Sequence, residues 1–334
     1  MATVLLQFYR SSNSAFLRVC SHVLTAFFLL ALTQVLNASL LYTSFAGQGN
    51  SSLGVYPLAL NASGTAIGSF LSAPHDMKVA GGFLYFLDGL TLYRSNLDFS
   101  NLTKFNTFGK APTSLEVDAV NSSYYLSFDT GGVSSLGLYP LLPSIGGIAI
   151  GSPFFSNPHG MEVAGGFLYF LDGNSVYRSN LDGSNLTTFI ALGDAPISLE
   201  VDAANNHYYL SFAGSGPSSL GVYPLAPHMG GLAIGSIALS GPHDMNVADG
   251  YLYFLDGGSV FRANLDGSNR TLFHSFLVSP TSMEIFVDAA VASPEPGTWL
   301  MLLTGVSLLV MVNRRSCTNT AEASERSPSP AAQG

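Results

Sequence analysis

Short apolar runs, broken by turn residues at regular intervals, dominate the middle of the chain. The run GGFLYFLDG at 81–89 returns as GGFLYFLD at 165–172 and as GYLYFLDG at 250–257, so that Asp88, Asp172 and Asp256 fall 84 residues apart. Each run is five or six residues rich in Phe, Tyr and Leu, bounded by Gly and Asp, which predicts a β-strand between turns. Around it the copies stay in register. Pro74-His75-Asp76-Met77 corresponds to Pro158-His159-Gly160-Met161 and to Pro242-His243-Asp244-Met245, and LYRSNLDFSN at 92–101 corresponds to VYRSNLDGSN and VFRANLDGSN. A second phrase lies between them: SLEVDAVNSSYYLSF at 114–128 matches SLEVDAANNHYYLSF at 198–212, each followed by SSLGLYP or SSLGVYP.

The two phrases share a rhythm of four short strands, so the structural unit is about 42 residues and the 84-residue period counts two of them. Four alternating strands per ~40–45 residues is the signature of a propeller blade. The second phrase first occurs at 39–58 without its leading LEVD strand, and SMEIFVDAA at 282–290 supplies that strand with no blade after it. The expected fold is therefore all-β: a six-bladed β-propeller of four-stranded blades, in which a strand at about 283–288 joins the strands near 40–71 and closes the ring. Closure removes two exposed sheet edges. The extra residues in IFVD, against VD in the other copies, are a candidate β-bulge.

The segment DGYLYFLDGGSVFRANLDGSNRTLF at 249–273, with PHDMNVA before it, resembles the YWTD repeat of the low-density lipoprotein receptor class B family and its Pro-His-Gly linker. That resemblance covers about 40–290, is strongest in blades two, four and six, and implies a six-bladed propeller. YFLD stands where YWTD would be, and the propeller has no tryptophan, so Phe and Tyr must form the aromatic layers.

The ends of the chain differ from the middle. Two basic residues, Arg10 and Arg18, precede the apolar run VLTAFFLLALTQVL at 23–36, as in a secretory signal cleaved near Ala38; an uncleaved N-terminal anchor is the alternative. Near the other end, SPEPGTWLMLLTGVSLLVMVNRR places Pro294, Glu295 and Pro296 before an uncharged run at 297–312 and then Arg314 and Arg315. The run is close to the minimum for a transmembrane helix, and the arginines suit its cytoplasmic end. The order of triplet, span and basic pair resembles the PEP-CTERM sorting signal of bacterial exported proteins, which implies an exosortase-type processing enzyme as partner. The chain continues past the basic pair with SCTNTAEASERSPSPAAQG, a polar tail that reads as disordered. The expected organisation is a signal peptide at 1–38, the propeller at 39–290, a sorting or transmembrane segment at 291–315 and the tail at 316–334. The propeller is then exported, at the cell surface or in an extracellular matrix, and held at the membrane at least transiently.

Charge narrows the partners. The body from 39 to 293 carries seven basic and eighteen acidic residues, a net charge of −11. That argues against nucleic acid and an anionic membrane surface as partners of the propeller. Both cysteines, Cys20 and Cys317, lie outside it, so no disulfide stabilises it.

Candidate chemistry divides into what repeats and what does not. His75, His159 and His243 should ring the central channel on one face, in the linkers entering alternate blades; three histidines can bind zinc, but a hydrogen-bonding linker role is the stronger reading. Asp88, Asp172 and Asp256 read as framework carboxylates accepting backbone N–H bonds. Arg94, Arg178 and Arg262 read as framework residues that pair with acidic neighbours or cover aromatic surface. Glu116, Glu200 and Glu284, with Asp118, Asp202 and Asp288, repeat in the other blade type. A catalytic centre needs different groups in different roles, so a specific site is expected where the copies differ, at positions such as Lys78, Lys104, Lys110, Asp129, Asp194, His207, His228, Asp249 and His274. These form no catalytic spacing, and no cofactor motif occurs. Asn50, Asn61, Asn101, Asn121, Asn185 and Asn269 sit in N-x-[ST] sequons, which are also turn sequences. The expected function is non-enzymatic binding of a surface protein or polysaccharide, against a hydrolase or lactonase with a channel metal, or a purely structural matrix component.

Overall fold

The computed structural model describes residues 39–46, 52–67, 71–129, 135–150, 155–213, 219–234 and 239–287. The N-terminal segment, Asn50, Asp288, the Pro294-Glu295-Pro296 triplet, the run at 297–312, Arg314, Arg315 and the tail lie outside the described residues. Among the described residues there is no helix, and so none long and apolar enough to cross a membrane.

Among the described residues, twenty-four strands form six antiparallel sheets of four. Blade 1 contains β1 (Leu40–Ser44), β2 (Leu53–Pro57) and β3 (Thr65–Ile67). Blade 2 is β4 (His75–Ala80), β5 (Phe83–Asp88), β6 (Thr91–Asn96) and β7 (Thr103–Thr107). Blade 3 is β8 (Pro112–Asp118), β9 (Ser123–Phe128), β10 (Leu136–Pro140) and β11 (Ile148–Ala149). Blade 4 is β12 (His159–Ala164), β13 (Phe167–Asp172), β14 (Ser175–Asn180) and β15 (Thr187–Ala191). Blade 5 is β16 (Pro196–Asp202), β17 (His207–Phe212), β18 (Leu220–Pro224) and β19 (Leu232–Ala233). Blade 6 is β20 (Pro242–Ala248), β21 (Tyr251–Asp256), β22 (Ser259–Asn264) and β23 (Thr271–Ser275).

The last strand, β24 (Ser282–Phe286), pairs antiparallel with β1, so blade 1 takes its inner strand from the far end of the sequence. The ladder runs from Leu40–Phe286 to Ser44–Ser282 without a register shift. The bulge suggested by the extra residues of IFVD is therefore not within this strand; pairing ends at Phe286, and the insertion falls after the last rung. Bulges occur instead near the start of the inner strands, between His75 and Lys78, His159 and Glu162, and His243 and Met245.

The sequence pattern follows from position in the blade. FLYFLD does not alternate because each copy is the second strand, with apolar neighbours on both faces, and four of its six residues are buried. The turn before it is a two-residue hairpin with both central residues at positive φ: Gly81 and Gly82, Gly165 and Gly166, or Asp249 and Gly250. That geometry selects Gly-Gly or Asp-Gly.

Six apolar clusters fill the six gaps between blades. One packs Tyr85 and Phe105 of blade 2 on Leu115 and Tyr124 of blade 3; another packs Tyr253 and Phe273 of blade 6 on Leu41, Met283 and Ile285 of blade 1. The second of these makes the closing strand part of the core. Edge-to-face pairs such as Tyr85–Phe105 and stacked pairs such as Phe86–Tyr93 form the aromatic layer that does without tryptophan. Each inner strand lies against the next around the ring, including β24 against β4.

Candidate functional site: the channel mouth

The inner strands line a central channel, and the linkers that enter them share one face with the turns after the second strands. This follows from register: His75 sits opposite Leu87, and Pro242 opposite Asp256. A cavity of about 260 Å³ opens there, lined by residues from all six inner strands.

The residues that repeat are occupied by the frame. Asp88 accepts hydrogen bonds from the backbone N–H of Ser72 (3.2 Å) and Ala73 (2.8 Å) and from the Ser72 hydroxyl (3.0 Å). Asp172 does the same with Ser156 and Asn157, and Asp256 with Ser240 and Gly241. Each carboxylate thus fixes the linker into its own blade. His75, His159 and His243 all line the cavity. Each holds a carbonyl two residues back through Nδ1, at 2.9–3.0 Å. His159 and His243 also meet the carbonyls of Pro196 and Pro280 through Nε2, at 3.3 and 3.4 Å. Among the described residues no three His, Cys, Asp or Glu side chains are placed to hold a metal ion.

Arg94, Arg178 and Arg262 lie far from the channel, each over two rings: Phe83 and Phe105, Phe167 and Phe189, or Tyr251 and Phe273, with the first ring of each pair at 4.5–4.6 Å. Of the two roles expected for them, they cover aromatic surface. Asp118 and Asp202 cap their hairpins through Asn121 and Asn205.

Deeper in the channel the sequence signal is stronger than its spacing suggested. Lys78, Glu162 and Asn246 occupy one repeated position, 84 residues apart, and Glu116, Glu200 and Glu284 occupy another. The strands bring all six together. Glu116, Glu200 and Glu284 each reach across a blade gap with Oε1 to a backbone N–H of a neighbouring inner strand, of Val163 (3.3 Å), Val247 (2.8 Å) and Val79 (3.1 Å). Lys78 donates to Glu162 at 2.5 Å and lies 3.0 Å from Oε2 of Glu116, off the direction for a hydrogen bond. Asn246 donates to Glu284 at 3.3 Å. Four carboxylates therefore share one ammonium.

The electrostatics follow. Burial pushes the Glu116 carboxyl up to about 8, against the pull of Lys78. Burial likewise raises Glu284 to about 8, and burial with the adjacent Glu162 raises Glu200 well above the usual range. Burial works to lower Lys78, but Glu116, Glu162 and the other channel glutamates outweigh it and hold the amine charged. Asp244 rises to about 6, mainly by burial and in part because Asp76 is near. Lys78 was visible in the sequence as an asymmetric position; Glu162 and Asn246 were not, because nothing in the sequence says that this position faces the channel. Its alignment at 78, 162 and 246 is the signal that could have found them.

No protein-family model matches the chain, and no curated protein does. Among solved structures, the crystal structure of a nidogen/laminin complex aligns with a TM-score of 0.64 and 16% sequence identity, over 75% of this chain and 98% of that one. The likeness establishes the fold. At that identity it is a likeness of blades and their arrangement, and it does not extend to any site residue.

Proposed function

We propose that this chain is an exported, non-enzymatic binding protein of the cell surface or extracellular matrix, and that its propeller holds a protein or polysaccharide partner on the face bearing the channel mouth. One observation carries the reading: the repeated histidines and aspartates at the mouth are spent on linker carbonyls and amides. They stiffen a concave surface, and among the described residues they do not converge as nucleophile, base and charge stabiliser on one point. One similar solved structure is a complex of nidogen and laminin, and a protein-binding role agrees with it.

Export, passage through the membrane by 297–312, and processing by an exosortase-type enzyme at Pro294-Glu295-Pro296 belong to the same reading. They are tested by fractionation of cells expressing the intact chain or an Arg314→Ala/Arg315→Ala variant. The variant is expected to stay in the membrane fraction; identical release of both chains contradicts the sorting role. Binding is tested by retention of matrix polymer and surface proteins on the immobilised protein, and the absence of any retained partner contradicts it. Stoichiometric metal in the purified protein would favour the hydrolase or lactonase reading instead. Loss of matrix cohesion on deletion, with no ligand retained, would favour a structural component.

A further inference from the structure

The pseudo-threefold repeat supplies an internal control for the channel mouth. In the sector between blades 2 and 3, the strand β4 contributes two groups. Asp76, at a left-handed φ of 53°, reaches across to the backbone N–H of Leu115, and Lys78 places its ammonium among the carboxylates of Glu116 and Glu162. In the sector between blades 6 and 1, Asp244 (φ 45°) repeats the first contact with Met283 N–H at 2.6 Å.

The sector between blades 4 and 5 lacks both groups. Gly160 has the same backbone conformation, φ 54°, but no side chain, and a Cβ placed there would sit 3.5 Å from Leu199 N. Leu199 has the register of Leu115, each opposite a leucine of the second strand, and in Leu115 that register turns the N–H to Asp76 on the neighbouring inner strand. The Asp contact that serves Leu115 and Met283 is missing there. Two residues on, Glu162 stands where β4 has Lys78. Glu200 is 8% exposed; its Oε1 takes the N–H of Val247, and its Oε2 has no hydrogen bond among the described residues. Gly160, Glu162 and Leu199 all line the cavity.

We propose that this sector is a binding site for a primary ammonium group carried beside a hydrogen-bond-accepting oxygen, as in an amino acid or a lysine side chain with its own backbone carbonyl. The ammonium takes the rotated counterpart of the Lys78 position, between Glu200 and Asn246 and beside Glu162. The oxygen takes the place of the missing Asp carboxylate on Leu199 N–H. The ligand thus supplies what Asp76 and Lys78 supply two blades earlier. An ammonium is the cation the channel already holds at Lys78, and one bound beside Glu200 favours that carboxyl's charged form against the burial that raises it.

The site goes beyond macromolecular binding and is tested separately, by calorimetric titration of the full-length chain with L-lysine, n-butylamine, Nα-acetyl-lysine amide and, as a control lacking the ammonium, hexanoate. The first three are expected to bind and hexanoate not. L-lysine and Nα-acetyl-lysine amide should bind more tightly than butylamine, and the balance between the first two distinguishes a free amine from a protein lysine as the source. Glu200→Gln is expected to weaken ammonium binding by about tenfold or more, the worth of one charge-assisted hydrogen bond. The double variant Gly160→Asp/Glu162→Lys rebuilds the sector as a copy of β4 and should abolish binding. Folding of both is checked by circular dichroism; if the double variant does not fold, Glu200→Gln decides. No binding of millimolar L-lysine to the wild-type chain, or equal binding to Glu200→Gln, overturns the proposal. Amine binding without any retained macromolecule would defeat the proposed function and leave this site standing.

Discussion

Replacing Lys78 by methionine removes the only ammonium that the described residues place in the channel ring, while keeping most of the side-chain volume. Lys78 meets Glu162 at 2.5 Å and Glu116 at 3.0 Å, and its side chain is 17% exposed. Removing one partner of a buried pair typically costs about 3–5 kcal/mol, because the other charge is left uncompensated. Channel water reaches Lys78 and Glu162, which screens part of this, so about 2–4 kcal/mol is expected at alkaline pH. For a domain of this size, that corresponds to a fall in Tm of roughly 5–15 °C. The cost must depend on pH. Glu116 titrates near 8 in the folded protein, well above its ordinary value of 4.5. Below that pH it is neutral and needs no cation, so the loss of Lys78 is expected to cost less there. Thermal unfolding of wild type and Lys78→Met at pH 5.5 and pH 9 measures the difference directly. An equal loss at both pH values, or no loss at pH 9, refutes the reasoning.

The wild-type protein should itself lose stability as pH rises from about 4.5 to about 8, because Glu116 and Glu284 keep their protons longer folded than unfolded; urea titrations at pH 5 and 8 check this, and a flat profile would contradict it. Asp88→Ala should cost about 1–3 kcal/mol by leaving the Ser72 and Ala73 amides without their acceptor, with similar losses for Asp172→Ala and Asp256→Ala by denaturant titration. Arg94→Ala should cost about 1–2 kcal/mol through lost cover of Phe83 and Phe105, and the loss should change little with salt; strong salt dependence would indicate an ion pair instead. Met283→Pro removes the N–H that Asp244 accepts, on the side of the closing strand turned away from β1; denaturant titration should show a loss of about 1–3 kcal/mol with the cooperative transition kept, and an unchanged midpoint would contradict the role of that contact.

Most of the ring was legible because a repeat states its own symmetry. The FLYFLD copies, the Gly-Gly and Asp-Gly turns and the orphan LEVD-like strand at the end fixed the blade count and the closure, and β24 pairs with β1 as expected. The exception was the bulge placed in IFVD. Periodicity marks where residues are inserted but not where pairing stops, and the ladder ends at Phe286 before the insertion matters. The channel was harder to read. Glu116, Glu200 and Glu284 repeat and so looked like frame, yet each divides its carboxylate between a neighbouring strand and the channel. Lys78, Glu162 and Asn246 differ in charge and so did not register as one position until the strands set them side by side. Gly160 carried the same lesson in its smallest form: a missing side chain is visible only against the Asp76 and Asp244 contacts that show what it would have done.

The central claim, that the channel-mouth face is the binding face, is tested most directly by hydrogen–deuterium exchange of the full-length protein alone and with a retained partner. Protection is expected in the linkers entering the inner strands, at 72–75, 108–112, 192–196 and 276–281. Protection confined to the opposite-face turns, at 119–122, 203–206 and 249–250, would contradict the account.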